Sequence, residues 1–313
     1  MKILDNSNKH LSLILPDIIL KKLNKKVAEF KFIGGGSYGK VYKVLLSDGG
    51  IIAVKAYKLQ EMQKEEERQL GVLSENTSVK MPEVLFTYED DDTAILAMTF
   101  VEGHNVLNPL FLLKSRKVKQ KFTGDVVSGM LEWHSMTNNK FGFLSNPVYD
   151  SWYDFYKTEM QQPWLCGLEK LCDKGNFSRK KLNLLKEASK IFDCVCPEDS
   201  TPVLIHGDLN IMNIMADTKS FNLIAFIDPC GSMWADREYD LFQFRNMWGD
   251  AYRLYETYKH KCSLSEYADF RVAYYGAMLE ASMRLKGGYI VPLWEDLNFI
   301  RLKKEMKKLK EKM

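Results

Sequence analysis

Val203-Leu204-Ile205-His206-Gly207-Asp208-Leu209-Asn210-Ile211-Met212-Asn213-Ile214 is the stretch on which the architecture of this 313-residue chain turns. A short apolar run, as a buried strand requires, leads into a polar loop that carries a carboxylate at position 208 and a carboxamide at 213. A second apolar run, Leu223-Ile224-Ala225-Phe226-Ile227, ends in another carboxylate, Asp228. An aspartate can orient and deprotonate an attacking hydroxyl, and a neutral amide oxygen can bind Mg²⁺ without adding a repulsive charge. Two strands that deliver such groups at their ends predict a site for handling metal-bound phosphate.

The spacing from His206 through Asp208 to Asn213 is that of the kinase catalytic loop, H-R-D-x-x-x-x-N, followed by a metal-holding aspartate. On that reading Asp208 is the base, and Asn213 and Asp228 hold Mg²⁺. His206 reads as a brace for the loop.

Upstream, Gly34-Gly35-Gly36-Ser37-Tyr38-Gly39 fits G-x-G-x-x-G, a weak pattern that context must decide. A dinucleotide fold would open a helix here, yet Lys40 to Leu46 is rich in β-branched and aromatic residues and calls for a strand. A P-loop needs Ser or Thr after its lysine, and Val41 stands there. A hairpin over phosphates is left, with Gly34, Gly36, Ser37 and Gly39 in contact with the nucleotide. Lys55 lies inside the apolar run Ile52-Ala53-Val54, where a lysine costs burial unless it pairs with phosphate and an acid. Of the candidates Glu65, Glu66 and Glu67, the spacing to Leu70 and Leu73 favours Glu66. The nucleotide is expected to be ATP.

The wider pattern predicts strands over 28–33, 40–46, 51–57, 84–88 and 94–100, with helices over 17–23 and 60–73. Helical periodicity dominates afterwards, over 119–136, 183–192, 239–258 and 264–284, interrupted by a strand pair near 203–228. The fold class is α+β with two lobes, a small β-rich lobe over 1–101 and a mostly helical lobe over 102–313 that carries the catalytic loop and acceptor site.

A hydrophobic content of 46% with 27% charged residues supports a packed core and excludes disorder. Apolar runs are too short for a membrane span and the first residues are polar, so a cytoplasmic protein is expected. The net charge of +3 gives no reason to expect nucleic acid, and the six cysteines read as reduced thiols. The basic tail from Arg301, with Leu302, Met306 and Leu309 at helical spacing, reads as a solvated amphipathic helix.

H-G-D-L-x-x-x-N-I, then I-D-P, then Asp236-Arg237-Glu238-Tyr239-Asp240-Leu241 resembles the aminoglycoside phosphotransferase and choline kinase-like family, whose fold is protein-kinase-like. Gly231 to Leu241 and Ser151-Trp152-Tyr153-Asp154-Phe155-Tyr156 look nearest to its fructosamine kinase branch. That branch has H-G-D-L-W, and Asn210 stands in place of the tryptophan. The resemblance implies transfer of the γ-phosphoryl of ATP to a hydroxyl of a small aminoglycoside-, amino-sugar- or ketosamine-like acceptor. It implies adenine contacts at the backbone of Thr99 and Val101, and loop-bracing or acceptor contacts for Asp236 and Asp240. Asp154, Trp234 and Glu238 are expected to face the acceptor, which their charge and aromatic edges would make a hydroxylated cation. The alternatives are a non-catalytic pseudokinase, disfavoured because lysine, base and metal ligands are all present, and a protein kinase, disfavoured by the absence of an A-P-E segment.

Overall fold

The computed structural model describes residues 4, 7–36, 38–107, 110, 113–285, 287 and 290–311. They divide into two compact units, one reaching to Gly103 and including Ile224–Asp228, the other holding His104–Leu223 and Pro229 onward. The return of Ile224–Asp228 to the first unit departs from a simple division into consecutive halves. Its cause is local: the Phe226 N–H donates to the Lys80 carbonyl at 3.0 Å.

The first unit runs α1 (Asn8–Leu23), β1 (Val27–Gly35), β2 (Gly39–Leu46), β3 (Ile51–Tyr57), α2 (Gln60–Glu75), β4 (Val84–Glu89) and β5 (Ala94–Thr99). The strands form one antiparallel sheet in the order β1-β2-β3-β5-β4. Helix α1 starts nine residues before the expected Asp17 and carries Pro16 inside it. A proline there forfeits a hydrogen bond and costs about 3 kcal/mol. Burial of Leu11, Leu15, Ile18 and Ile19 against Tyr42, Val44, Val54 and Ile95 offsets that cost, at about 1.5–3 kcal/mol for each large side chain. Ser7 caps the helix by accepting the His10 N–H.

The second unit runs β6 (His104–Asn105), α3 (Arg116–Ser135), β7 (Phe141–Phe143), β8 (Asn146–Tyr149), α4 (Trp152–Tyr156), α5 (Gln162–Asp173), α6 (Arg179–Val195), β9 (Val203–Ile205) and β10 (Ile214–Ala216). After β11 (Leu223–Phe226), shared with the first unit, come β12 (Met233–Ala235), α7 (Arg237–Asp240), α8 (Leu254–Lys261), α9 (Ala268–Ser282) and α10 (Pro292–Lys310). A four-stranded sheet in the order β8-β7-β12-β9 carries the strand that enters the loop from His206 to Asn213. Its core is aromatic: Trp152, Tyr156, Phe192, Tyr239, Tyr274 and Tyr275 are buried together, with Tyr156 and Tyr275 ring centres 5.1 Å apart. Such pairs add about 0.5–1.5 kcal/mol beyond their burial.

The helix expected over 239–258 is broken. Asp236 caps the four-residue α7, a 3₁₀ turn follows over Gln243–Arg245, and Met247, Trp248 and Arg253 have left-handed φ values of 51°, 73° and 56°. A continuous helix cannot pass through three such residues. The tail also differs from a solvated helix, because α10 packs Leu302, Met306 and Leu309 inward. No helix among the described residues is long and apolar enough to cross a membrane.

Candidate active site

In the first unit, Lys55 lies at the centre of the sheet, with Val41 of β2 on one side and Leu96 of β5 on the other. Its side chain is nearly buried and donates to Glu66 Oε2 on α2 at 2.6 Å and to Asp228. Glu66 is the only buried member of its acidic run; Glu65 instead accepts hydrogen bonds from Arg68 and Gln69 of the same helix. Burial disfavours the ammonium, yet the carboxylates of Asp228 and Glu66 outweigh it and hold Lys55 well above the usual lysine range. Burial pushes the Glu66 carboxyl up, and the shared Lys55 offsets this only in part. Asp228 reaches Lys55 from a left-handed backbone, φ 56°, a conformation that costs a non-glycine residue about 1–2 kcal/mol.

The hairpin tip between β1 and β2 is closed by the Gly36 N–H donating to the Gly39 carbonyl at 3.0 Å. At Gly39 a Cβ would sit 2.7 Å from the Ala56 carbonyl oxygen, so packing demands glycine there. At Gly34 and Gly36 a Cβ would meet nothing within 4 Å, so the protein's own packing does not explain those two. Ser37 lies outside the described residues. Thr99 ends β5 and spends its N–H on the Glu83 carbonyl, and Val101 follows it into the connecting segment.

In the second unit the loop from His206 to Asn213 is pinned by glycine geometry. Gly207 has φ 81°, and a Cβ there would lie 2.5 Å from the Cys230 carbonyl oxygen. The Asp208 carboxylate receives three side-chain amides. Asn210 Nδ2 and Gln243 Nε2 donate to Oδ1 at 2.9 and 2.8 Å, and Asn213 Nδ2 donates to Oδ2 at 3.0 Å and to the Asp208 carbonyl at 2.7 Å. With its nitrogen committed to Asp208, Asn213 turns its Oδ1 away from that carboxylate, the orientation an amide needs to offer oxygen to a cation. Asn210, the departure from the tryptophan pattern, also accepts the Met212 N–H at 2.9 Å and so shapes the turn that carries Asn213.

Asp240 braces the loop from α7, its two oxygens accepting the backbone N–H groups of His206 and Gly207. Asp236 is buried at the start of α7, accepts the Glu238 N–H, and has its carboxyl pushed up to about 6 by burial and by the neighbouring Glu238.

The residues expected at the acceptor fare differently. Glu238 is 2% exposed and turned into α9, where Arg271 donates to both its oxygens at 2.7 and 3.2 Å and Ser265 adds a third bond. Its oxygens are spent on these donors, which makes it a brace between α7 and α9 and not an acceptor contact. Trp152, two residues before Asp154, is core, its Nε1 donating to Tyr275 Oη at 2.8 Å. Asp154 is exposed and bonded to Ser151, the cap of its own helix. Trp234 is half-buried on β12, opposite Leu204 of the strand leading to Asp208.

Gln243 had no spacing signal. Its one sequence mark is a polar residue inside the apolar run Leu241-Phe242-Gln243-Phe244. Among the described residues no group of three or more His, Cys, Asp or Glu could by itself hold a metal.

A family model described as fructosamine kinase matches residues 17–290. The sequence is 23% identical over 176 residues to the uncharacterised Escherichia coli protein YcbJ, a match that spans 55% of this chain and 58% of the relative. The fold is similar to that of a Thermobifida fusca protein assigned as a fructosamine-3-kinase, with TM-score 0.64, 19% identity, and 94% and 97% of the two chains covered. An aminoglycoside phosphotransferase solved with GDP and kanamycin is similar over 95% of this chain and 99% of its own, with TM-score 0.67 and 14% identity.

Proposed function

The chain belongs to the fructosamine kinase family, and on that premise we propose that it moves the γ-phosphoryl group of ATP to a hydroxyl of a small amine-linked sugar in the cytoplasm. The observation that carries the reading is the Asp208 carboxylate, held by Asn210, Asn213 and Gln243 on a loop whose backbone Asp240 fixes.

Each unit supplies its own part. In the first, Gly34 and Gly36 let the backbone approach phosphate, Lys55 neutralises phosphate charge while Glu66 positions it, and the segment from Thr99 to Val101 takes the base. In the second, Asp208 receives the acceptor hydroxyl and orients it for attack. Asp228 in the first unit and Asn213 in the second each offer an oxygen that would suit Mg²⁺, and the metal would supply neutralisation of developing phosphate charge. What these residues add is positioning and fixed charge.

The test incubates the purified chain with MgATP and three acceptors: a ketosamine, an aminoglycoside and an uncharged sugar. Acceptor phosphorylation is read by mass spectrometry. The ketosamine is expected to lead the uncharged sugar by about tenfold or more in kcat/KM, roughly one favourable charge contact of about 1.4 kcal/mol. Equal use of the two would reject the amine-linked class, and phosphorylation of none would reject the kinase reading.

A further inference from the structure

The Asp208 carboxylate lies at the end of a continuous chain of side-chain amides. Arg301 Nη1 on α10 donates to Asn298 Oδ1 at 3.4 Å, and Asn298 Nδ2 donates to Asn246 Oδ1 at 3.0 Å. Asn246 Nδ2 then donates to Gln243 Oε1 at 3.0 Å, and Gln243 Nε2 donates to Asp208 Oδ1 at 2.8 Å. A guanidinium can only donate and a carboxylate can only accept, so the two ends fix the direction of all three amides between them.

We propose that Gln243, Asn246 and Asn298 form an oriented relay that carries the positive pole of Arg301 to Asp208 and locks that carboxylate in the one rotamer able to receive an acceptor hydroxyl. These are positioning residues, and the proposal rests on reading Asp208 as the group that meets the acceptor.

Stability alone does not account for them. Gln243, Asn246 and Asn298 are 3%, 4% and 3% exposed, and three apolar side chains would pack such sites without the cost of burying amides. A satisfied amide chain offers what leucines cannot, a single direction and mutual polarisation from bond to bond. The backbone around the relay is correspondingly fixed. Met247 and Trp248 hold left-handed conformations directly after Asn246, and a Cβ on Gly249 would lie 2.2 Å from the Phe244 carbonyl oxygen. On the other side, a Cβ on Gly276 of α9 would lie 2.8 Å from Asn298 Oδ1. Non-glycine residues held in such conformations gather where a site must be preorganised.

The test uses the full chain and two readouts. In nitrogen–proton spectra, the side-chain amide resonances of Gln243 are expected to move in Asn298→Leu and in Arg301→Met, although neither position bonds Gln243. Kinetically, both variants should lower kcat about tenfold while KM for the nucleotide stays within about twofold, and Arg301→Lys, which keeps a cationic donor, should restore most of the loss. Unmoved Gln243 resonances in both variants, or a loss that falls on KM alone, would overturn the relay. If Asn298→Leu does not fold, Arg301→Met decides, because Arg301 lies at the half-buried outer end of the chain. Should the native chain phosphorylate no acceptor, the kinase reading fails while the spectra still decide the relay.

Discussion

The carboxylate of Asp240 holds the backbone of Gly207, its Oδ1 accepting that N–H at 2.9 Å. The same side chain takes the His206 N–H on its other oxygen at 3.1 Å. Asp240→Ala would strand two buried donors, at about 1–3 kcal/mol each. It should lower Tm by several degrees and kcat by about tenfold or more, with nucleotide affinity within about twofold, since the lysine and glycines we assign to the nucleotide lie in the other unit. Melting curves and steady-state kinetics check this.

Lys55→Ala leaves Glu66 buried without its cation, and breaking a buried pair from one side costs about 3–5 kcal/mol. Nucleotide affinity should fall about tenfold or more, measured by calorimetric titration. Glu66→Gln, which keeps a neutral acceptor near the lysine, should lose less of both.

Arg271→Leu should cost about 3–5 kcal/mol in a denaturant melt, because it leaves the Glu238 carboxylate buried and unpaired. Glu238→Gln should lower stability while leaving the ratio of kcat/KM for charged and uncharged acceptors unchanged. A shrunken ratio would return Glu238 to the acceptor.

The folded-state carboxyl of Asp236 lies at about 6 against an ordinary value of 3.8. Between those values the folded chain binds the proton that the unfolded chain releases, so this group's contribution to stability falls as pH rises from about 4 to about 6. Asp236→Asn keeps the cap on the Glu238 N–H and removes that penalty. It should gain on the native chain through that window and level off on the order of 2–3 kcal/mol ahead near neutrality. Denaturation at pH 4.5 and 7.5 measures the difference.

The strands of the first unit were legible because they are rich in β-branched, aromatic and other apolar residues and several are bounded by turn residues, and Lys55 was legible as an ion inside the apolar run of β3. The start of α1 was not, since burial of Leu11 and Leu15 overrides what Pro16 signals locally. The break after α7 was equally hidden. Met247, Trp248 and Arg253 take left-handed conformations that nothing in their side chains favours, so no local signal announces them. Glu238 was misjudged because a carboxylate beside a catalytic segment reads alike in sequence whether it faces an acceptor or the distant Arg271. Gln243, Asn246 and Asn298 meet only through tertiary contact, so no spacing reveals them.

The most direct measurement is phosphoryl transfer from MgATP to the best acceptor by Asp208→Asn beside the native chain, with nucleotide affinity titrated in both. An amide keeps the shape of the carboxylate but cannot accept the hydroxyl proton, so transfer should fall by about 10²–10⁴-fold while the nucleotide dissociation constant stays within a few-fold. Turnover within about tenfold of the native chain would contradict the assignment of Asp208 as the acceptor-orienting base.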